Sequence, residues 1–304
     1  MTKYRIIKID SSDGITLENQ GSKRKYWLPK MKALIKLNGY YEEKEKNYVD
    51  WSKEIRSWNV SEKIFSEIAH HLGFMCVKTD FVVDEKGIYG IASYDFRKDG
   101  ELYISGDDLY IASPISLPKK TEKRSIDANY HYEDIVKMLL FYSNNLKLIT
   151  DFNKIIIMDA LTGESDRHYE NWGIRFSNNE YTLLPMYDNS SCLLNKFREE
   201  AVMKSILDET SIEDYAKRSK SKIKINNKKV RHYDFIKQLL ISLPPFPKFI
   251  LIEDIKKLEN LSDVVIENIV NKVPEKLCSD RHKELIIEYI KIRKRHLLSL
   301  VEGL

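Results

Sequence analysis

The sequence predicts an α+β fold in two lobes, a small β-rich one followed by a larger, mainly helical one. Three observations predict it. The chain has 304 residues, 42% hydrophobic and 32% charged, so it can bury a core and exceeds the length at which one core usually stops growing. Over roughly the first hundred residues the apolar positions follow the period of two expected of strands, broken by one helix-like stretch, and later they recur at helical spacing. No internal repeat or low-complexity tract points to a solenoid or fibre. The lobes are taken as residues 1–96 and 97–304.

Residues 14–18 read as a strand, a polar turn containing Gly21 follows, and 25–28 and 32–37 read as two more strands separated by a Pro29 turn. In the third strand Ala33, Ile35 and Leu37 share one face, which leaves Lys36 beside Leu34 on the other. A lysine inside an apolar strand calls for an anionic partner. A polar stretch at 38–57 leads into NVSEKIFSEIAHHLGF, where Asn59 is suited to cap a helix, Ile64, Phe65, Ile68 and Leu72 form its apolar stripe, and Gly73 ends it. Two glutamates on this helix are candidates to meet Lys36. At about 100° per residue Glu62 lies nearer the edge of the stripe than Glu67 and is the better placed. Glu62 also stands three residues after Asn59, where it can instead complete a capping box.

Strands follow near 79–83, 88–94 and 102–104, then a Pro-bearing charged connection at 113–124. Helices are expected at 131–149 and 151–161, the second capped by Asp151 with Ile155, Ile156, Ile157 and Met158 in the core. WGIRF, the turn SNNE and YTLLPM form a hairpin. Further helices are expected at 199–207, 211–218, 233–242, 248–257, 262–271 and 280–301, punctuated by Pro244, Pro245, Pro247 and Pro274.

Fifty basic and 46 acidic residues leave a net charge of +4, so no whole-protein field commits the chain to nucleic acid or to a membrane. Cys76, Cys192 and Cys278 are far apart and form no CxxC pair, which argues against a structural zinc site and for a reducing compartment. The N-terminus has no apolar h-region and no run reaches the roughly 18 apolar residues of a membrane helix. The expectation is a cytoplasmic protein.

The chemistry is concentrated in DALTGESDRHYENWGIRF at 159–176 and MYDNSS at 186–191. Phosphoryl transfer requires a carboxylate beside the acceptor hydroxyl, oxygen ligands for magnesium, and positive charge on the phosphates. Asp166 and Asn171 stand five residues apart, the separation of the catalytic Asp and metal-binding Asn in protein kinases, and Asp188 emerges just after the hairpin, where a second magnesium ligand belongs. No Ser-His-Asp or Cys-His arrangement competes with this reading.

DALTGESDRHYENWGI with LLPMYDNSS resembles the signature of the HipA-like serine/threonine kinases, a bacterial branch of the protein kinase fold, and GSKRKYWL, ALIKLN and SEKIFSEIAHHLGF resemble its phosphate loop, lysine strand and glutamate helix. The resemblance runs over nearly the whole chain and is to the compact stand-alone type. It implies a two-lobed protein-kinase-like fold and ATP- and Mg2+-dependent phosphorylation of Ser or Thr in a protein substrate. Carried over by position, Asp166 is the catalytic base, Asn171 and Asp188 are the magnesium ligands, Lys36 meets the α/β-phosphates, and His168 lies near the nucleotide. Gly21, Ser22, Lys23 and Lys25 belong to the phosphate loop, and Ser93, Tyr94 and Asp95 to the hinge that meets adenine. Autophosphorylation in the phosphate loop is implied as well. Phosphate on Ser22 would repel ATP, although a serine chosen for turn geometry reads the same.

Some features depart from the pattern. Glu164 stands where the family usually has Asn, and YDN replaces the D-F-G of ordinary kinases. The extra N-terminal subdomain of full-length HipA toxins has no room, so the toxin-antitoxin partnership with a DNA-binding antitoxin is not supported by the sequence. The run KRSKSKIKINNKKVR at 217–231 holds eight basic residues and no acidic one. It reads either as solvated surface or as a docking surface for an acidic or RNA-bound partner. His70 and His71 are neighbours on a helix and cannot share a face, which argues against a metal pair. Two other classes stay open: the same fold can transfer AMP from an inverted nucleotide, and a pseudokinase can bind nucleotide or RNA without chemistry.

Overall fold

The structure, a computed structural model, describes residues 2–16, 25–38, 40–42, 47–49, 58–113, 130–143, 146–195 and 209–304. The strands of the smaller lobe are β1 (Ile6–Lys8), β2 (Ile15–Thr16), β3 (Lys25–Leu28), β4 (Ala33–Leu37), the short hairpin β5 (Tyr40–Glu42) and β6 (Asn47–Val49), β7 (Thr79–Val83) and β8 (Tyr89–Tyr94). Six of them form one sheet in the order β1-β7-β8-β4-β3-β2, with β1 parallel to β7 and the other pairs antiparallel. The helix α1 (Trp58–His71) packs on one face.

Alternation decides what each face of this sheet buries. Ala33, Ile35 and Leu37 join Tyr26, Leu28, Val82 and Ala92 in a small cluster on one side. Phe81 and Ile91 face the other way, into the main core with Val60, Ile64, Phe65 and Ile68 of α1. Lys36 is in register with Ile91, so its side chain heads toward α1, and only 2% of it is exposed.

The larger lobe holds a three-stranded antiparallel sheet of β9 (Leu102–Ser105), β10 (Gly173–Ser177) and β11 (Glu180–Leu183), ordered β11-β10-β9. Its helices are α2 (Gly106–Ala112), α3 (Tyr132–Tyr142), α4 (Lys147–Thr162), α5 (Glu209–Arg218), α6 (His232–Ser242), α7 (Pro245–Lys256), α8 (Asp263–Asn271) and α9 (Asp280–Ser299). Nearly every residue of α4 is buried, which fits a helix that is apolar on most of its circumference and packs against α3, α6, α7, α9 and β11. The two-lobed α+β architecture is thus the one the periodicities predict.

Local expectations fare less evenly. The single helix expected at 131–149 is two elements, since α3 ends at Tyr142 and α4 starts at Lys147. Asp151 therefore does not cap a helix; it lies inside α4, where the Lys154 ammonium sits 2.6 Å from its carboxylate. Asn59 is likewise inside α1 and not at its cap, because Trp58 and Val60 are buried in the main core and tertiary packing outweighs a capping preference. The polar stretch 38–57 contains the β5–β6 hairpin. Gly21, Ser22 and Lys23, the helix expected at 199–207 and nearly all of the connection 113–124 lie outside the described residues.

The basic run at 217–231 is folded into the lobe. Its first two residues end α5, and the rest forms a loop closed by bridges between Lys220 and Arg231 and between Ile225 and Lys228, with Lys224 bridged to His131. Among the described residues no helix is long and apolar enough to cross a membrane.

Candidate active site

Four segments converge at the cleft between the sheet and the helical lobe: β4, α1, the loop that follows α4, and the segment after β11. The strand phase sends Lys36 to α1, where its ammonium lies 3.0 and 3.2 Å from the two oxygens of Glu62 and 2.9 Å from Asp188 Oδ1. Of the two glutamates on α1, Glu62 is therefore the one that meets Lys36, while Glu67 pairs with Lys63 at 2.7 Å. Glu62 is held from the other side by the Ser93 hydroxyl, which donates to Oε1 at 2.9 Å. Burial opposes the charge of Lys36, but the Asp188 and Glu62 carboxylates outweigh it and raise the ammonium pKa above the usual lysine range.

The loop that carries Asp166 begins with a reversal at Gly163. Its φ of 74° lies in the left-handed region, its N–H closes α4 on Asp159 O at 2.8 Å, and a Cβ would collide with the Tyr289 hydroxyl. Beyond it the loop is fixed by Arg167, which is buried. Nε and Nη2 donate to the Asp159 carboxylate at 3.1 and 2.8 Å, Nη1 donates to Asn171 O and Tyr187 O at 3.0 and 3.1 Å, and Nη2 donates to Asn189 Oδ1 at 2.6 Å. One guanidinium thus fastens the backbone beside Asn171 and the backbone beside Asp188 to the end of α4.

Glu164 provides a second tie. Its oxygens accept from the backbone N–H of Asp166 at 2.8 Å and of Ser191 at 2.9 Å. Burial pushes this carboxyl up to about 8, against the opposing pull of Arg167 and the two N–H groups. Its own carbonyl oxygen lies 2.9 Å from Nε2 of His232, a buried imidazole that burial and Arg293 push down to about 3.

Asp166 is left with its side chain 50% exposed at the cleft. The Asn171 amide nitrogen donates to Asp166 O at 2.9 Å, so its carboxamide oxygen is the end directed away from that carbonyl. Asp188 has a φ of 53° and a side chain 30% exposed, a left-handed conformation that a non-glycine residue keeps only where its surroundings hold it. Those surroundings are Arg167 on the preceding carbonyl and the pairing of Met186 with Met75 and Val77 at 2.9 Å each. A carboxylate and a carboxamide oxygen are the hard donors magnesium takes, with its remaining positions left to phosphates and water, so the donor set fits that ion.

His168 lies on the same loop, partly exposed, with Nδ1 accepting from the N–H of Glu170 at 3.3 Å. Lys25 is half-buried on β3, in register with Lys36. The hinge candidates are not drawn into the cluster by their side chains, apart from Ser93. The Tyr94 hydroxyl donates to Asp80 at 3.1 Å and Asp95 binds Arg97 at 2.8 Å. The N–H groups of Tyr94 and Asp95 are taken by Lys78 O and Lys32 O at 3.0 and 2.8 Å. Phe96, next along, stacks on Tyr187 with ring centroids 5.9 Å apart, so the far end of the cleft has an aromatic shelf beside Asp188.

Sequence reasoning passed over Arg167, Glu164 and Lys222 as working parts. Lys222, in the middle of the basic run, lies with Nζ 3.6 Å from Asp166 Oδ1. Only the Asp-Arg adjacency signalled Arg167, and nothing local signalled Lys222, since its partner is far along the chain.

The HipA-like C-terminal domain family matches residues 7–273. A serine/threonine-protein kinase, CtkA of Helicobacter pylori, is 29% identical over 159 residues, a stretch spanning 49% of this chain and 45% of that protein. The crystal structure of the Helicobacter pylori proinflammatory kinase CtkA superposes with a TM-score of 0.75 at 19% identity, over 98% of this chain and 96% of that one. HipA from the Shewanella oneidensis toxin-antitoxin complex with HipB and operator DNA superposes with a TM-score of 0.51 at 13% identity, over 94% of this chain and 65% of that one.

Proposed function

The chain belongs to the HipA-like C-terminal domain family, and from that premise we propose that it is an ATP- and magnesium-dependent kinase acting on Ser or Thr of a protein substrate. The observation that carries the reading is the meeting of Lys36, Glu62 and Asp188 within 3.2 Å, from three separate elements, at a cleft that also presents Asp166. A buried lysine held between two carboxylates is costly to keep unless its charge is used.

The roles that the family resemblance implies fit this geometry. Asp166, exposed and unblocked by burial, accepts the proton of the acceptor hydroxyl. That oxygen bonds to the γ-phosphorus, the bond from phosphorus to the bridging oxygen breaks, and its electron pair leaves with ADP. Lys36 pairs with the phosphates, and Glu62 keeps it extended toward them. Asn171 and Asp188 would hold magnesium, which when bound neutralises charge on the phosphates. Arg167 and Glu164 hold both ligand segments in place relative to Asp166.

The substrate approaches from the side of the 217–231 loop, whose positive charge favours an acidic protein segment. Autophosphorylation at Ser22 belongs to the same proposal.

The test is incubation of the purified protein with Mg2+ and γ-labelled ATP beside the Asp166→Ala variant, read by intact and peptide mass spectrometry. Phosphate gained by wild type alone supports the kinase. Gain of AMP would transfer the protein to the inverted-nucleotide class, and Mg-ATP binding too weak to detect would sink the reading.

A further inference from the structure

The 217–231 run has one member inside the candidate active site, and its chemistry is not used by the roles above. We propose that Lys222 is the acceptor-side cation of the transfer, contacting the non-bridging oxygens of the phosphoryl group as it passes to the substrate hydroxyl. The inference rests on the kinase reading of Asp166.

Lys222 Nζ lies 3.6 Å from Asp166 Oδ1, with 26% of its side chain exposed. An acceptor hydroxyl must come within about 2.6–3.2 Å of the base, and the phosphorus it attacks lies about 3–3.5 Å from that hydroxyl in a reactive pose. An ammonium 3.6 Å from an oxygen of the base is near enough to reach both by side-chain rotation.

Among the described residues, the other cations around Asp166 and Asp188 are buried or already paired. The segment from Asp166 to Asn171 contains no lysine, and its one arginine, Arg167, is buried and bonded to Asp159, Asn189 and two carbonyls. His168 faces Glu170, 3.9 Å away. Lys36 is committed to Glu62 and Asp188. Among the described residues Lys222 is thus the cation placed beside Asp166 to meet charge that builds on the equatorial oxygens toward the acceptor.

The fold also aims Lys222 at Asp166 and does not merely leave it near. Burial alternates through the loop, with Ser221, Ile223 and Ile225 buried and Lys222 and Lys224 turned outward. The Ser221 N–H donates to Val230 O at 3.1 Å and its hydroxyl accepts from the Ile223 N–H at 3.1 Å. Lys224 N donates to Tyr130 O and Tyr132 N to Lys224 O, both at 2.8 Å. Tyr130 in turn accepts from Trp172 Nε1 at 2.8 Å and packs on Tyr169 with ring centroids 4.1 Å apart. Those two residues flank Asn171, so the loop that presents Lys222 and the loop that presents Asp166 share one support.

During the step the hydroxyl proton goes to Asp166, the new bond forms between the hydroxyl oxygen and the γ-phosphorus, and ADP leaves with the electron pair of the broken bond. Lys222 keeps its protons throughout and acts as a charge.

Lys222→Met and Lys222→Arg are compared with wild type by single-turnover transfer from γ-labelled ATP, by equilibrium binding of Mg-ATP, and by binding of Mg-ADP with aluminium fluoride as a mimic of the moving phosphoryl group. Thermal midpoints check folding. The Met variant should transfer on the order of 10²-fold more slowly, bind Mg-ATP within about twofold of wild type, and lose most of the affinity that aluminium fluoride adds. The Arg variant should recover most of the rate. An unchanged or faster Met variant overturns the proposal, as does a loss of Mg-ATP affinity in step with rate. Wild type that transfers nothing defeats the kinase reading and this inference together, whereas wild type and Lys222→Met transferring equally defeats only the inference.

Discussion

Replacing Arg167 by lysine keeps the positive charge and removes the geometry, which isolates what the guanidinium contributes. Arg167 makes five hydrogen bonds, to Asp159 twice, Asn171 O, Tyr187 O and Asn189. A lysine ammonium has three protons on one atom and cannot span acceptors arrayed around a planar fork. At least two of the five bonds must go, and the acceptors left behind are buried. Each hydrogen bond to a charged group contributes about 1.5–3 kcal/mol, so the loss is about 4 kcal/mol. For a chain of this size that corresponds to a fall of roughly 8 °C in thermal midpoint, taking about 2 °C per kcal/mol. Where the bonds lost include those to the carbonyls of Asn171 and Tyr187, the segments that carry Asn171 and Asp188 loosen as well. Metal dependence should weaken and transfer should slow by about 10–100-fold. The assays are differential scanning calorimetry and a magnesium titration of the transfer rate. A midpoint within about 2 °C of wild type together with an unchanged titration would refute the view that this side chain holds the two segments.

Three further outcomes are expected. Asp166→Asn should reduce transfer by at least about 10³-fold with a thermal midpoint close to wild type, because its half-exposed side chain faces the cleft, and Asp188→Asn should reduce transfer as much but lower the midpoint, because it takes a carboxylate from the buried Lys36; a large loss of midpoint in Asp166→Asn would mean that residue is structural. Glu164, pushed by burial to about 8 from an ordinary 4.5, keeps a proton in the folded chain that the unfolded chain has released. Its contribution is therefore present in full below about pH 4.5 and lost as pH rises through about 8, with a ceiling of roughly 5 kcal/mol. Urea midpoints measured from pH 6 to 9 should fall more steeply for wild type than for Glu164→Gln, and parallel profiles would contradict the assignment. Gly90→Ala should cost about 1–3 kcal/mol in chemical denaturation, since the added Cβ would collide with Lys36 O and force β4 and β8 apart; an unchanged midpoint would show that the strands yield.

The parts of this protein legible in the sequence are those whose physics is local. Period-two alternation placed Lys36 opposite the apolar face of its strand, and helical phase preferred Glu62 to Glu67 as its partner, because both depend on backbone repeats that hold in any tertiary setting. Asp166, Asn171 and Asp188 stood out because their spacing is that of a single loop and a single hairpin. Where two local signals competed with packing, local reading failed. Asn59 and Asp151 have the chemistry of helix caps, yet the apolar residues that precede them continue the helix into the core, and burial of those residues exceeds the value of a cap.

Other features have no local signal at all. Arg167 reads as a surface ion pair until its acceptors at 159, 171, 187 and 189 are brought around it. Glu164 reads as a departure from a motif until its two oxygens are seen to bridge Asp166 and Ser191. Lys222 sits in a run that composition alone makes look solvated, and only the fold of that run brings it to Asp166, 56 positions earlier in the chain. The sequence by itself determined the two-lobed α+β class and singled out Lys36, Glu62, Asp166 and Asp188 as candidates for one cleft, because alternation, helical phase and motif spacing are properties of short segments. Tertiary structure alone decided which cations and carboxylates share the cleft, because electrostatic contact depends on distance in space and the chain closes those distances only when its core packs.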